Sequence, residues 1–286
     1  FSCYQPTMET QLQFSPKYPS FDPISALQKI RSMADWTSIR FVDEVTHYRG
    51  ARDGKVDQNF TNAERGVMIE AMVNGQISYA ATSDLSISGI ERAAQKAVLL
   101  AKASSQKKPF EFTEKLRPKS TGKYKSPRTQ GLDQISLKEF TDFLIEVKNK
   151  LKISDKIVNT EASAILSESK YHYVSSNGSD FEQSFLWISN NFGVQAQDGP
   201  ISQRRTMNGP VARCHQIGLE VFDEEEIFSD CELTARQVLE LLSAEECPSE
   251  NRDLILAPDQ LYLQIHESIG HPLELDRILG DERNYA

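Results

Sequence analysis

The sequence predicts an α+β fold, a mixed α/β protein in which helices pack on an antiparallel-rich sheet. Three observations lead there. Asn74-Gly75 separates two short strand-like runs, Asn177-Gly178 separates further alternating runs, and apolar stripes of helical period lie near residues 24–33, 90–101 and 140–151. With 286 residues, 39% of them hydrophobic, the chain can build a sizeable core in one large domain or two smaller ones.

Residues 1–20 are polar, lack periodicity and carry Pro6, Pro16 and Pro19, so they are expected to form an extension. They show no basic start and apolar run of the signal-peptide kind. A helix is expected through Ile24, Leu27, Ile30 and Met33, then a strand through Ile39, Phe41 and Val45, ending at the turn signal Asp53-Gly54. Arg65 to Val73 and Gln76 to Ala81 read as a hairpin about Asn74-Gly75. Ser88, three residues before Glu91, has the spacing of a capping box ahead of an alanine-rich helix reaching about Ala103.

Residues 102–128 hold nine Lys or Arg and three prolines, with Phe110, Phe112 and Tyr124 between the charges. No nucleic-acid motif frames them, and they read as a solvated, irregular connector. Leu137 to Leu151 is expected to be helical. Ile157 to Ala164, Lys170 to Ser175, Phe181 to Ile188 and Phe192 to Ala196 are expected to be strands. His172, Cys214 and His215 are read as packing or surface residues, because nothing nearby completes a metal site. The acidic run Glu220 to Asp230 marks an expected boundary, followed by a helix with Leu233, Val238, Leu241 and Leu242 buried. Leu254-Ile255-Leu256 reads as a strand, and Pro258 is suited to open the next helix.

Net charge is −9, so the chain has no general attraction for nucleic acid or anionic membranes. No stretch approaches the roughly 20 apolar residues of a membrane span. Cys3, Cys214, Cys231 and Cys247 form no CxxC pair and read as free thiols of a reducing, cytoplasmic compartment.

The chemistry concentrates in His266-Glu267-Ser268-Ile269-Gly270-His271. Leu261, Ile265 and Ile269 recur every four residues and are expected to bury one helix side, carrying His266 and Glu267 into a protected polar pocket. Zinc-peptidase ligands in a His-Glu-x-x-His pattern stand about 40° apart around a helix, whereas a five-residue separation gives about 140°. Either a single π-type turn brings the two imidazoles together, or the helix ends before His271, between Gly270 and Pro272. Imidazole ligands suit zinc, although two are too few for a complete site. Glu267 has the position of a general base that takes a proton from a zinc-bound water and passes it to the leaving amine. Glu274 and Asp276 are each candidates to accept a hydrogen bond from a ligand histidine, or are surface residues.

Ala257-Pro258, the run from His266 to Arg277 and Gly280 to Ala286 resemble the TldD/PmbA family of metallopeptidases, whose motif is His-Glu-x-x-x-His. Phe41-Val42-Asp43, Asn62 to Val67, Ser83-Asp84-Leu85 and Val174 to Gly178 resemble its amino-terminal domain. The resemblance covers residues 24–286. It implies an amino-terminal domain over 21–220, then, from 221 to 286, the truncated start of a β-rich metallopeptidase domain containing the motif helix. It implies that His266 and His271 bind zinc, that Glu267 is catalytic, and that the third ligand is a downstream cysteine at a place that none of these four cysteines occupies. It further implies a homodimer, or a heterodimer with a related subunit, cleaving extended or unfolded peptides held by strand addition. The expected function is therefore zinc-dependent peptide hydrolysis, with no nucleic-acid or membrane partner. The alternative is a non-catalytic scaffold or partner subunit, inactive alone for lack of the third ligand.

Overall fold

The computed structural model describes residues 19–53, 55–107, 111–113, 115, 117–209 and 213–280. Most of the expected extension, Cys3, Gly54, Lys108, Phe110 and the family-like residues 281–286 lie outside the described residues. The chain forms two units, Phe1–Leu242 and Ser243–Ala286.

In the first unit, α1 (Pro23–Ile30) starts where the Asp22 carboxylate accepts from the Ile24 amide at 3.0 Å, with Pro23 where a missing amide costs nothing. Its buried stripe is Pro23, Ala26, Leu27 and Ile30, whereas Ile24 faces solvent and Met33 lies beyond the helix. β1 (Trp36–Arg52) and β2 (Lys55–Val73) form a long antiparallel pair with an irregularity at Gly50/Ala51. β2 begins ten residues before the strand expected at Arg65, because Lys55 to Glu64 pair with β1 although they are exposed and carry no apolar alternation. β3 (Gln76–Thr82) follows a tight turn in which Asn74 and Gly75 both take positive φ, 50° and 74°, as the Asn-Gly signal requires.

α2 (Ile87–Ser105) begins earlier than expected. Its cap is Ser86, whose hydroxyl accepts from the Gly89 amide at 3.1 Å, rather than Ser88. The Asp84 carboxylate accepts from the Ser86 amide at 3.1 Å and crowds position 89, where an added Cβ would lie 2.4 Å from it. That close approach requires Gly89. The basic stretch is also more ordered than expected, since Thr121–Lys125 is a strand, β4. Lys123 pairs with Glu182 at 2.9 Å, Arg117 with Glu70 at 3.4 Å and Arg128 with Glu168 at 3.0 Å.

α3 (Leu137–Leu151) has the expected bounds and a reciprocal capping box between Ser136 and Glu139. β5 (Ile157–Ser175) and β6 (Asp180–Asp198) are single strands of 19 residues where four shorter ones were expected. Polar residues such as Ser167, Ser169, Asn190 and Asn191 interrupt the apolar pattern without interrupting the ladder. β7 (Ile201–Thr206), which had no clear sequence signal, adds at the edge. α4 (Glu224–Leu241) follows, and Glu224, Glu225 and Glu226 form its first turn. The acidic run is therefore the start of a helix, where carboxylates meet the positive end of the dipole. Ile227, Cys231, Ala235 and Val238 of α4 are buried in the first unit's core, so this unit extends through Leu242.

The strand order is β3-β2-β1-β5-β6-β4, with β7 also on β6; every pairing is antiparallel except β4 with β6. The far edge of β6 is shared: β4 pairs Asp180 to Ser184, His215 bridges Ile188, and β7 pairs Gly193 to Asp198. The α+β class with an antiparallel-rich sheet is as predicted.

One sheet face carries the helices and two apolar clusters. α1 and α2 cover Ile39, Phe41, Val67, Ile69, Ala71 and Val174, while α3 and α4 cover Leu166, Leu186, Ile188, Phe192 and Val194. Between the two clusters β1 buries His47 and Arg49. His47 Nδ1 meets the Thr61 hydroxyl at 2.9 Å, and Arg49 donates to the carbonyls of Tyr48 (2.8 Å) and Phe60 (2.5 Å) and to Thr61 (3.0 Å). Burial, reinforced by the Arg49 charge, pushes the His47 pKa down to about 4.

Cys214, Cys231 and Cys247 are free. Burial pushes the Cys231 thiol up to about 12. No helix among the described residues is long and apolar enough to cross a membrane.

The second unit holds α5 (Pro258–Ile265), a π-turn, a 3-10 turn and α6 (Leu275–Leu279). The strand expected at Leu254 to Leu256 is absent. No strand among the described residues pairs with it, and Leu254 and Ile255 are 79% and 95% exposed.

Two outcomes follow for stability. Leu144, 1% exposed beneath the sheet, should cost about 2–5 kcal/mol on Leu144→Ala, while Leu99→Ala, on the open side of α2, should be near neutral in denaturant unfolding. The folded pKa of His47 lies below its unfolded value, so the unfolded chain binds the proton first as pH falls. Stability contributed by neutral His47 is full above about pH 6.5 and declines toward pH 4, by about 3 kcal/mol in total. His47→Gln should flatten that part of the stability–pH curve; an unchanged slope would count against it.

Candidate metal centre

Pro258 opens α5 and Ala257 accepts the first helical bonds, from the Gln260 and Leu261 amides at 3.0 and 2.9 Å. The α-helix runs to Ile265, and His266–Gly270 then forms a π-turn in which the His271 amide bonds the His266 carbonyl. This is the first of the two expected ways to reconcile the five-residue spacing, and it keeps the chain helical into the 3-10 turn His271–Leu273. The extra residue rotates His271 back beside His266. The imidazole centroids stand 4.4 Å apart at 75°.

The π-turn also brings Glu267 in. Ligand atoms of His266, Glu267 and His271 all lie within 4.8 Å of one another, and Glu267 Oε2 is 3.8 Å from His271 Nε2. Glu274 Oε1 lies 2.8 Å from His271 Nδ1, and its second oxygen pairs with Arg277 Nε at 3.0 Å. Glu274 is thus held between an imidazole and a guanidinium. Asp276 turns instead to the Arg277 amide at 2.9 Å and touches neither histidine.

Among its own described residues, the second unit forms no protected pocket around this segment. His266 and Glu267 are exposed and His271 is partly buried. Ile265 and Ile269 are 48% and 52% exposed, and no residue of α5 or the π-turn is buried. Period alone predicted a buried stripe, but burial also needs an opposing layer, and the described residues of this unit supply none.

Two imidazoles and a carboxylate within reach of one point are a donor set suited to a divalent transition metal, with zinc among the metals that imidazole favours. The Glu274 contact gives His271 a fixed role. With its Nδ1–H donated to a carboxylate, the Nε2 lone pair is left to bind a metal. Sequence spacing identified every member of this cluster and Glu274, but could not separate Glu274 from Asp276. Their difference lies in which of them stands just after the 3-10 turn.

Nitrogen-15 chemical shifts of the chain without metal should show neutral His271 mainly as the Nδ1–H tautomer. Glu274→Gln should shift it toward Nε2–H, and Asp276→Asn should leave it unchanged. Equal effects of both variants would remove Glu274 from this role.

Comparison with known proteins agrees with the fold. Residues 37–101, from β1 through most of α2, match the PmbA/TldA metallopeptidase domain 1. A metalloprotease of Methanocaldococcus jannaschii is 21% identical over 260 residues, covering 91% of this chain and 56% of that protein. The structure of a proposed modulator of a DNA gyrase from Thermotoga maritima superposes with TM-score 0.59 at 16% identity, over 79% of this chain and 50% of the other. TldE from Thermococcus kodakarensis superposes with TM-score 0.52 at 13% identity, over 75% and 47%. This chain therefore spans about half the length of the proteins it resembles. With the domain match over β1 to α2 and the shared curled-sheet fold, the chain resembles the TldD/PmbA proteins.

Proposed function

We propose that this chain supplies two zinc ligands, His266 and His271, and the general base, Glu267, of a metallopeptidase that cleaves extended or unfolded peptides. The observation that carries the reading is the π-turn, which gathers these three side chains where a regular helix would spread them. The name metalloprotease, carried by a relative matched over most of this chain, supports the reaction class.

When bound, zinc supplies Lewis-acid polarisation of the scissile carbonyl and acidification of water. The chain's own residues do the rest. His266 and His271 hold the metal through imidazole nitrogens, and Glu274 keeps His271 in the tautomer whose Nε2 carries the lone pair. Glu267, adjacent to a ligand in sequence, accepts the proton of the attacking water and returns it to the leaving amine. A third protein ligand is required. The family resemblance points to a cysteine in a further β-rich segment, and pairing with a second copy or a related subunit would close the site over the peptide. The free thiols accord with a cytoplasmic setting.

A second reading, a scaffold or partner subunit without catalysis, is favoured by one observation. The only metal-type cluster among the described residues contains two histidines, and its third member is the residue needed as base.

The test is zinc titration of the purified chain followed by peptide hydrolysis in the complete assembly. His266→Ala and His271→Ala should each weaken zinc affinity at least about tenfold. Glu267→Gln should retain zinc and lower hydrolysis of an unstructured peptide by about 10²–10⁴-fold. Zinc binding indifferent to both histidines would remove the site, and full activity of Glu267→Gln would remove the base. Zinc binding without hydrolysis in the complete assembly would favour the scaffold.

A further inference from the structure

Opposite the helices, the first unit's sheet has a second apolar surface. Odd-numbered residues of β5 and β6 place Tyr171, Tyr173, Phe181, Phe185 and Trp187 on one side. Tyr173 stacks on Phe181 with centroids 4.8 Å apart, Phe185 meets Tyr171 edge-on at 5.9 Å, and Trp187 stacks on Phe185 at 5.6 Å. Part of this surface is the floor of a cavity of about 600 Å³, a size that suits a small organic ligand.

The cavity has a built wall. Arg117 to Ser120 crosses its rim, fixed by Asn177 Nδ2 donating to the Arg117 carbonyl (2.8 Å), the Ser120 amide donating to the Ser179 hydroxyl (3.1 Å), and the Asp180 amide donating to the Ser120 carbonyl (2.9 Å).

Its charge is one-sided. Glu70 lines it but is already engaged, accepting from the Ser38 hydroxyl at 2.8 Å and pairing with Arg117 at 3.4 Å. Arg40 also lines it, and no carboxylate among the described residues pairs with that guanidinium, whose Nη2 approaches the Met68 sulfur at 3.9 Å. In a chain of net charge −9, an aromatic hollow with an uncompensated guanidinium is complementary to a ligand with a flat apolar body and an anionic end.

We propose that this hollow binds an aromatic carboxylate, either a free small acid or the terminal residue of a peptide, with its ring against Tyr173 and Phe181 and its carboxylate on Arg40. The inference rests on the first unit alone and is independent of the metal-site reading.

Calorimetric titration of the full chain with N-acetylphenylalanine and its neutral amide tests it. The acid should bind saturably at one site, and the amide about tenfold more weakly or worse, because it lacks the charge-assisted bond. Arg40→Gln, an exposed position, should weaken the acid by a similar factor and leave the amide unchanged. Phe181→Ala, with folding checked by circular dichroism, should weaken both. Equal affinity of acid and amide, an acid affinity indifferent to Arg40→Gln, or no saturable binding of either probe would overturn the proposal. A tripeptide ending in phenylalanine with a free carboxylate separates the sources. Tighter binding than N-acetylphenylalanine identifies a chain terminus, and equal or weaker binding a free acid; each upholds the site.

Discussion

The pairing of β1 with β5 is the constraint on which the first unit depends. It runs unbroken from Ser38 opposite Ser175 to Arg52 opposite Glu161 and joins strands far apart in sequence. On one side of this seam stand β2, β3 and α2, and on the other β6, β7 and α4, while α1 and α3 touch both of its strands. Each half alone would be a small sheet with one helical layer and limited apolar area to bury. The seam makes them one sheet, and it sets which residues meet between the apolar clusters. His47 and Arg49 lie there, so their polar atoms must be satisfied locally, and Thr61 and the carbonyls of Tyr48 and Phe60 do this. A burial position that asks for hydrogen bonds rather than bulk helps to hold register, because a one-residue slip would turn both side chains to the opposite face.

The parts of the fold that were legible in sequence are those decided over a few residues. The Asn74-Gly75 turn follows from the φ values those residues tolerate, and α3 follows from a stripe bracketed by Ser136 and Glu139. Strand lengths were not legible. Lys55 to Glu64 belongs to β2 because β1 lies beside it, not because of its own residues, and the same holds for the serines and asparagines inside β5 and β6. Apolar alternation records burial rather than pairing, and an exposed stretch can be fully paired. Tyr171 and Tyr173 with Phe181, Phe185 and Trp187 did carry a readable signal, a period of two on the opposite parity to Leu166, Leu186 and Ile188. It marks a sheet apolar on both faces.

At the candidate metal centre the residue types and the need for a helical irregularity were visible from spacing and helix geometry. Burial was not, because a stripe such as Leu261, Ile265 and Ile269 states only that one side is apolar. Whether that side is covered depends on what packs against it, and its own sequence does not say. The position of Asp276 was opaque for a related reason. Carboxylates two residues apart after a turn point in different directions, and a backbone amide competes with an imidazole for each.

The carboxylate of Glu274 has a consequence for how this segment acquires order. α6 spans five residues, far below the length at which an isolated helix sustains itself in water. Glu274 immediately precedes it, with one oxygen directed to His271 and the other to Arg277 of the helix's first turns. The imidazole and the guanidinium are thereby tethered to one anion, and that anion offsets part of the nucleation cost the helix faces. Helix formation after Glu274 and orientation of His271 are two ends of a single coupled equilibrium. Loss of the His271–Glu274 contact would release that anion from one of the two partners that hold it at the start of the helix.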